Sequence, residues 1–143
     1  MKISDHFSLE EFVPQGIFNQ YGQKAQWFVD PRLITLAEAV RLFFAKPVTI
    51  NNWHTGGQFN YRGFRDPDCT VGAKLSQHRM GRAIDINVAG MTPQEVYKAI
   101  LGASAYFMGK GLTTMEDIAS TPTWCHLYIR QTNQSSILIV EPQ

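Results

Sequence analysis

The stretch from residue 53 to residue 76 is dense in turn-forming residues and separates two segments that favour β-strands. Glycine, asparagine, aspartate and proline recur along it. Loops of this length are uncommon in a compact domain unless they serve a function. The β-rich flanks are 48–50 before the stretch and 83–88 after it. The chain is therefore expected to form a sheet that carries a long functional loop between two of its strands.

Three segments carry helix-start signals. A capping box predicts a short helix over 8–13. An N-cap aspartate followed by proline predicts a helix from residue 31 to about residue 45. A second capping box, with proline at the first helical position, predicts a helix from about residue 92 to residue 101. The segment 16–26 lacks such signals and is predicted to be a loop.

The C-terminal third has the pattern of a β-hairpin followed by one more strand. Strands are predicted over 112–117 and 124–130, joined by a turn near 120–123, and a last strand over 136–140. The order of elements predicts an α+β fold, with helices packed on one side of a small antiparallel sheet. The length of 143 residues is that of one domain, so a single domain over 1–143 is expected.

Charge and hydropathy exclude several classes of partner. The chain has 13 Lys and Arg against 12 Asp and Glu, which gives a net charge of +1 and no reason to expect nucleic acid. No segment approaches the roughly 20 apolar residues of a membrane-spanning helix, so membrane insertion is not expected. The N-terminal residues 1–6 have no apolar core of a secretory signal peptide, which predicts synthesis in the cytoplasm. Cys69 and Cys125 are too few for a disulfide framework and are expected to be reduced.

Two histidines and an aspartate form the candidate site. His78 ends the long loop, Asp85 follows on the strand 83–88, and His126 lies within the return strand of the hairpin. Two imidazoles and one carboxylate are a ligand set typical of catalytic zinc, which keeps a fourth position for water. A non-haem iron site uses the same three ligand types. A third interpretation is structural, with each side chain satisfied by local hydrogen bonds.

The residues around this triad resemble the M15 family of zinc peptidases. The string Ser76-Gln77-His78-x-x-Gly81-Arg82-Ala83-x-Asp85 is similar to the family signature S-x-H-x-x-G-x-A-x-D. The family includes D-alanyl-D-alanine carboxypeptidases and phage peptidoglycan endopeptidases, and it shares its metal site with the hedgehog amino-terminal domain. Further similar segments follow the family order and cover most of the chain: Phe7-Ser8-Leu9-Glu10-Glu11-Phe12, Gly63-Phe64-Arg65-Asp66-Pro67, Val71-Gly72-Ala73 and Trp124-x-His126.

The resemblance implies both a fold and an activity. It implies a hedgehog-like peptidase domain that holds zinc through His78, Asp85 and His126 and hydrolyses a peptide bond in bacterial peptidoglycan. It also implies that Arg65 polarises the scissile carbonyl or holds a substrate carboxylate, a role for which Arg62 competes. The expected protein is a monomer whose substrate is a stem peptide or cross-link, reached after release from the cytoplasm in the manner of a phage-encoded lysin.

The general base departs from the family pattern. Many members carry an acid three residues before the last histidine or two residues after it, where this chain has Thr123 and Tyr128. The departure leaves a second hypothesis open. In it, the protein is a non-catalytic module of the cell wall or of a phage virion that keeps the metal for stability.

The hairpin supplies two candidates for the base. A turn centred on residue 121 pairs positions whose numbers sum to 242, which places Glu116 opposite His126 and on the same sheet face. A shift of half a residue would place Asp117 there. We therefore expect Glu116 to act as the base, with Asp117 as the second candidate. Trp124 and Cys125, which flank the histidine, are expected to lie in the core.

Overall fold

Four α-helices and a five-stranded mixed sheet form the α+β fold in the computed structural model, which describes residues 1–142. The helices are α1 (Gln15–Tyr21), α2 (Pro31–Phe44), α3 (Pro93–Gly102) and α4 (Ser104–Gly109). The strands are β1 (Val48–Thr49), β2 (Ala83–Val88), β3 (Thr114–Glu116), β4 (Cys125–Tyr128) and β5 (Leu138–Val140). Short 3-10 helices occupy Leu9–Glu11, Gly22–Phe28, Trp53–Thr55 and Gln77–Met80.

The strands follow the order β1-β2-β4-β3-β5 across the sheet. The first three pairings are antiparallel, as predicted, whereas β5 runs parallel to β3. The prediction of an antiparallel sheet is wrong at this strand because β4 already has a partner on each side. The chain therefore passes the end of β3 and re-enters the sheet at its free edge, from the end where β4 stops, so β5 runs antiparallel to β4 and parallel to β3.

Local signals predicted some elements better than others. The helix from residue 31 and the strand 83–88 are confirmed as α2 and β2, and the short helix predicted over 8–13 is reduced to one 3-10 turn. The loop predicted over 16–26 is wrong, because α1 and a 3-10 helix occupy it. Ile17 and Phe18 pack against the core there, so burial of apolar side chains outweighs the weak local signal.

The two faces of the central strands differ in chemistry. On β4, Cys125 and Leu127 face the apolar core, together with Ile84 and Ile86 of β2. The alternate residues face the other side of the sheet, where the candidate site lies. Cys69 and Cys125 are both free thiols, as the sequence predicted, and both are buried. Within residues 1–142, no helix combines the length and the apolar character that crossing a bilayer requires.

The strand register brings three titratable side chains side by side. Asp85 of β2 pairs with His126 of β4. On the other side of β4, Thr114 pairs with Tyr128 and Met115 pairs with Leu127. This is the register that the turn position predicted, and its continuation places Glu116 next to His126. The sheet therefore presents Asp85, His126 and Glu116 in a row across three neighbouring strands.

Candidate metal centre

His78, Asp85 and His126 come together on the face of the sheet away from the apolar core. Their side chains offer one ligand atom each, and these atoms all lie within 4.8 Å of one another. The three residues are only 1%, 2% and 7% exposed. The triad predicted from the sequence is thus a buried group that could hold a metal ion.

Both imidazoles converge on the same carboxylate oxygen. The Nε2 atom of His78 lies 3.1 Å from Oδ1 of Asp85, and the Nδ1 atom of His126 lies 2.5 Å from it. Ligand atoms held about 2.0–2.2 Å from a tetrahedral metal lie roughly 3.3–3.6 Å apart. The contact of His78 is close to that spacing and the contact of His126 is shorter, so the three side chains are near enough to share one ion.

A hydrogen bond to the backbone fixes the tautomer of His78. Its Nδ1 atom donates to the carbonyl oxygen of Gly63 at 2.8 Å, because a carbonyl oxygen can only accept. In the neutral ring the Nε2 atom then presents a lone pair toward Asp85. Either a proton on this nitrogen or a metal ion bound between it and the carboxylate would satisfy the 3.1 Å contact, so the geometry is compatible with a metal ion. Orientation of a metal-binding histidine through its other nitrogen is typical of such sites.

The Nδ1 atom of His126 is an orphaned polar atom. It is buried and makes no hydrogen bond within residues 1–142, because its contact with Asp85 is short but misaligned for one. An unsatisfied buried polar atom costs about 1–3 kcal/mol. A metal ion at this position would satisfy it, so the residues present fit a metal site.

Asp85 is held in its ionised form. Burial alone would raise its pKa, but the nearby imidazoles of His78 and His126 outweigh this effect and hold the pKa far below its usual range. The site therefore offers a permanent negative charge between two imidazoles. That charge favours a divalent cation over a neutral ligand.

Arg65 is anchored beside the second oxygen of Asp85. Its Nη2 atom lies 3.4 Å from Oδ2 of Asp85, and its Nε atom donates to the carbonyl oxygen of Tyr61 at 2.8 Å. The side chain is buried and lines the pocket above the triad. Sequence reasoning placed Arg65 at the site, and the structure brings it there.

Arg62 is directed elsewhere. Its Nη1 atom donates to Oδ1 of Asn87 at 2.5 Å, and its guanidinium stacks 3.4 Å from the ring centroid of Phe59. Its backbone carbonyl accepts a hydrogen bond from the amide of Asp85 at 2.8 Å. Arg62 does not line the pocket and supports the strand next to it.

Glu116, the last residue of β3, lies in the pocket next to β4. One of its oxygens, Oε2, is 3.0 Å from Nε2 of His126, the ring nitrogen away from Asp85. The other, Oε1, accepts a hydrogen bond from the hydroxyl of Tyr128. Burial first, and then the neighbouring Glu116, raise the pKa of Tyr128 well above its usual range, so this hydroxyl remains a donor.

Asp117 and Trp124 occupy positions that the strand alternation explains. Asp117 points away from the pocket, and its carboxylate accepts a hydrogen bond from the amide of Ala119 at 3.1 Å.

Trp124 was expected in the core, and this prediction is wrong. It lines the pocket with its indole N–H against Nε2 of His126, because residues two apart on a strand share a face. Cys125 does lie in the core, where burial raises the pKa of its thiol to about 12.

The pocket has a volume of about 220 Å³ and is walled by the sheet on one side and the long loop on the other. The sheet contributes His126, Glu116 and Tyr128, while the loop contributes Gly72 and Ala73. The loop predicted to be functional therefore closes the site. Residues of the C-terminal segment, Val140 and Pro142, complete the lining.

Arg79 pins this loop, a role that sequence reasoning missed. Its guanidinium donates to four backbone carbonyls, with distances between 2.6 and 3.3 Å. The acceptors are the carbonyl oxygens of Asp66, Pro67, Cys69 and Ala73. The sequence feature that could have indicated this role is the arginine directly after His78. Its partners depend on a loop conformation that the sequence pattern does not specify.

We expect Arg79→Ala to loosen the loop without unfolding the protein. Loss of the charge-assisted hydrogen bonds should lower the free energy of unfolding by about 1–3 kcal/mol. Amide hydrogen exchange over residues 66–76 should quicken, while exchange in β2 and β4 stays slow. Lys74→Ala is the matched control, because Lys74 is exposed in the same loop. Equal exchange in both variants would show that Arg79 does not hold the loop.

No family model, curated protein or solved structure matches this chain. The functional assignment therefore rests on the residues of the site, their geometry and the sequence resemblance described above.

Proposed function

We propose that this protein is a zinc-dependent peptidase that hydrolyses a peptide bond in the stem peptides or cross-links of bacterial peptidoglycan. The observation that carries the proposal is the convergence of two imidazole nitrogens on one ionised carboxylate oxygen, in a pocket that also holds an arginine and a glutamate. Nitrogen and oxygen donors in this number are typical of catalytic zinc sites. The choice of peptidoglycan comes from the resemblance to the M15 peptidases.

Three residues would hold the metal. They are His78 through Nε2, Asp85 through Oδ1 and His126 through Nδ1. Zinc in such a site supplies Lewis acidity, which polarises a carbonyl group and promotes the ionisation of water near neutral pH. Gly63 contributes by fixing the ring of His78 in the required orientation.

Glu116 would move the proton. It is the one carboxylate among the described residues that line the pocket. Its Oε2 atom is buried and makes no hydrogen bond within residues 1–142, so a lone pair is available to accept a proton from water. Tyr128 holds the other oxygen in place. The same carboxyl group can then return the proton to the departing amine.

Arg65 would stabilise the negative charge that develops during the reaction. A Cβ at position 72 would lie 2.4 Å from the Nη1 atom, so glycine at this position lets the loop approach the guanidinium without a clash. The guanidinium is always charged and offers a planar fork of donors. We infer that it donates to the carbonyl oxygen of the scissile bond as negative charge develops there.

Metal removal tests the proposal directly. Zinc-loaded protein incubated with purified peptidoglycan is expected to release free amino groups, a chelator should stop the release, and added zinc should restore it. The alternative of a non-catalytic cell-wall or virion module predicts a different result. Such a module would bind zinc and sediment with peptidoglycan, and its melting temperature would fall with chelator, yet no amine would appear. That outcome would overturn the peptidase assignment.

A further inference from the structure

A second guanidinium, that of Arg130, reaches the same pocket. Arg130 lies two residues beyond the end of β4, on the face that carries His126 and Tyr128, and it lines the pocket. Within residues 1–142 its side chain takes part in no ion pair or hydrogen bond. The donors of its guanidinium are therefore available to a ligand.

The backbone at Arg130 is fixed by Thr113, the residue before β3. The hydroxyl of Thr113 donates to the carbonyl oxygen of Arg130 at 2.6 Å, and the amide of Thr113 donates to the carbonyl oxygen of Tyr128 at 3.0 Å. Four residues of extended chain place the Cα atoms of His126 and Arg130 about 13 Å apart. Arg130 therefore faces a part of a bound peptide away from the reacting bond.

The charges that line the pocket favour an anionic ligand. Two guanidinium groups, those of Arg65 and Arg130, face one carboxylate, that of Glu116. Arg65 is already engaged by Asp85 and by the carbonyl oxygen of Tyr61. Arg130 is the cation left to compensate a negative group on the ligand. A planar guanidinium binds a carboxylate through two parallel hydrogen bonds, which gives both affinity and orientation.

We propose that Arg130 binds a carboxylate of the peptide substrate at a distance from the scissile bond and makes the pocket selective for anionic peptides. The proposal rests on the proposed peptidase function and adds a specificity residue to it. Two sources supply this chemistry, namely the C-terminal carboxylate of the peptide and an acidic side chain within it.

Four forms of one synthetic stem peptide separate these sources. In them the C-terminal carboxylate and the side-chain carboxylate are each either free or amidated. We expect the zinc-loaded protein to cleave one free-acid form with a kcat/KM about 10- to 100-fold above that of its amide, as suits a charge-assisted hydrogen-bonded pair. The carboxylate whose amidation lowers kcat/KM is the one that Arg130 binds.

Arg130→Gln should remove the preference through a higher KM for the acid, with kcat and the rate on the amide little changed. Arg130→Lys keeps the charge without the planar fork and should give an intermediate preference. Arg82→Gln is the control, since Arg82 lies outside the pocket and contacts Asp30. An unchanged preference in Arg130→Gln would overturn the proposal, as would equal rates on acid and amide in the native protein.

A binding measurement keeps this test independent of turnover. Calorimetric titration of zinc-loaded Glu116→Gln with the same peptides should show the acid preference, and the double variant with Arg130→Gln should lose it. Binding selectivity without hydrolysis by the native protein would refute the peptidase function and uphold the role of Arg130. Hydrolysis without selectivity would uphold the peptidase function and refute the role of Arg130. Absence of binding by every form of the peptide would refute the role of Arg130.

Discussion

Asp85→Asn is expected to weaken zinc binding by more than about 100-fold and to abolish hydrolysis of peptidoglycan. Asparagine keeps the shape of the side chain but removes the negative charge on which both imidazoles converge. Even changes to groups that only orient metal ligands cost about 10- to 100-fold in affinity, so loss of a charged ligand should cost more. Competition of the protein with a chromophoric chelator measures the affinity, and elemental analysis measures the metal content.

Two further variants make this result specific. Asp117→Asn is the matched control, because Asp117 is the carboxylate that points away from the pocket, and its zinc affinity should equal that of the native protein. His78→Ala keeps the contact between Asp85 and Arg65 and should lose zinc to a similar degree. Circular dichroism confirms folding in each case. Native zinc affinity in both Asp85→Asn and His78→Ala would refute the metal site.

The positions of those site residues that depend on strand pairing could be predicted from the sequence. In an antiparallel hairpin the turn position decides which residues face each other, and a turn near residue 121 favoured Glu116 over Asp117 as the neighbour of His126, in agreement with the observed register. Asp85 was predictable for a related reason. The alternation on β2 puts it on the opposite face from Ile84 and Ile86, which the core requires.

The remaining features depend on contacts between segments distant in the sequence. Arg79 holds the loop through carbonyls whose positions follow from the loop conformation, and no local pattern encodes that conformation. The position of Arg130 in the pocket required knowledge of how far β4 extends along the wall. The parallel direction of β5 depended on which edge of the sheet was free. In each case tertiary packing made the choice between local alternatives.

Glu116→Gln is expected to separate proton transfer from metal binding. Glutamine has the shape of glutamate and can still accept the hydrogen bond from Tyr128, but it cannot take a proton from water. A positioned general base contributes about 100- to 10,000-fold to the rate, so kcat/KM should fall within that range. Zinc affinity should change little, because the side-chain amide of glutamine keeps a polar contact with Nε2 of His126, the nitrogen away from Asp85. Peptide hydrolysis and chelator competition measure the two quantities on the same preparation.

Asp117→Asn and Tyr128→Phe complete the argument. If Asp117 were the base, its variant and not that of Glu116 would lose activity with zinc retained. Tyr128→Phe removes the donor that holds Oε1 of Glu116 and should lower kcat by about 3- to 10-fold, the value of one hydrogen bond. The opposite result for Glu116→Gln would assign the carboxylate a different role. Retained turnover with weakened zinc binding in Glu116→Gln would show that the carboxylate orients His126, since a carboxylate on the second nitrogen of a metal-binding histidine has that effect.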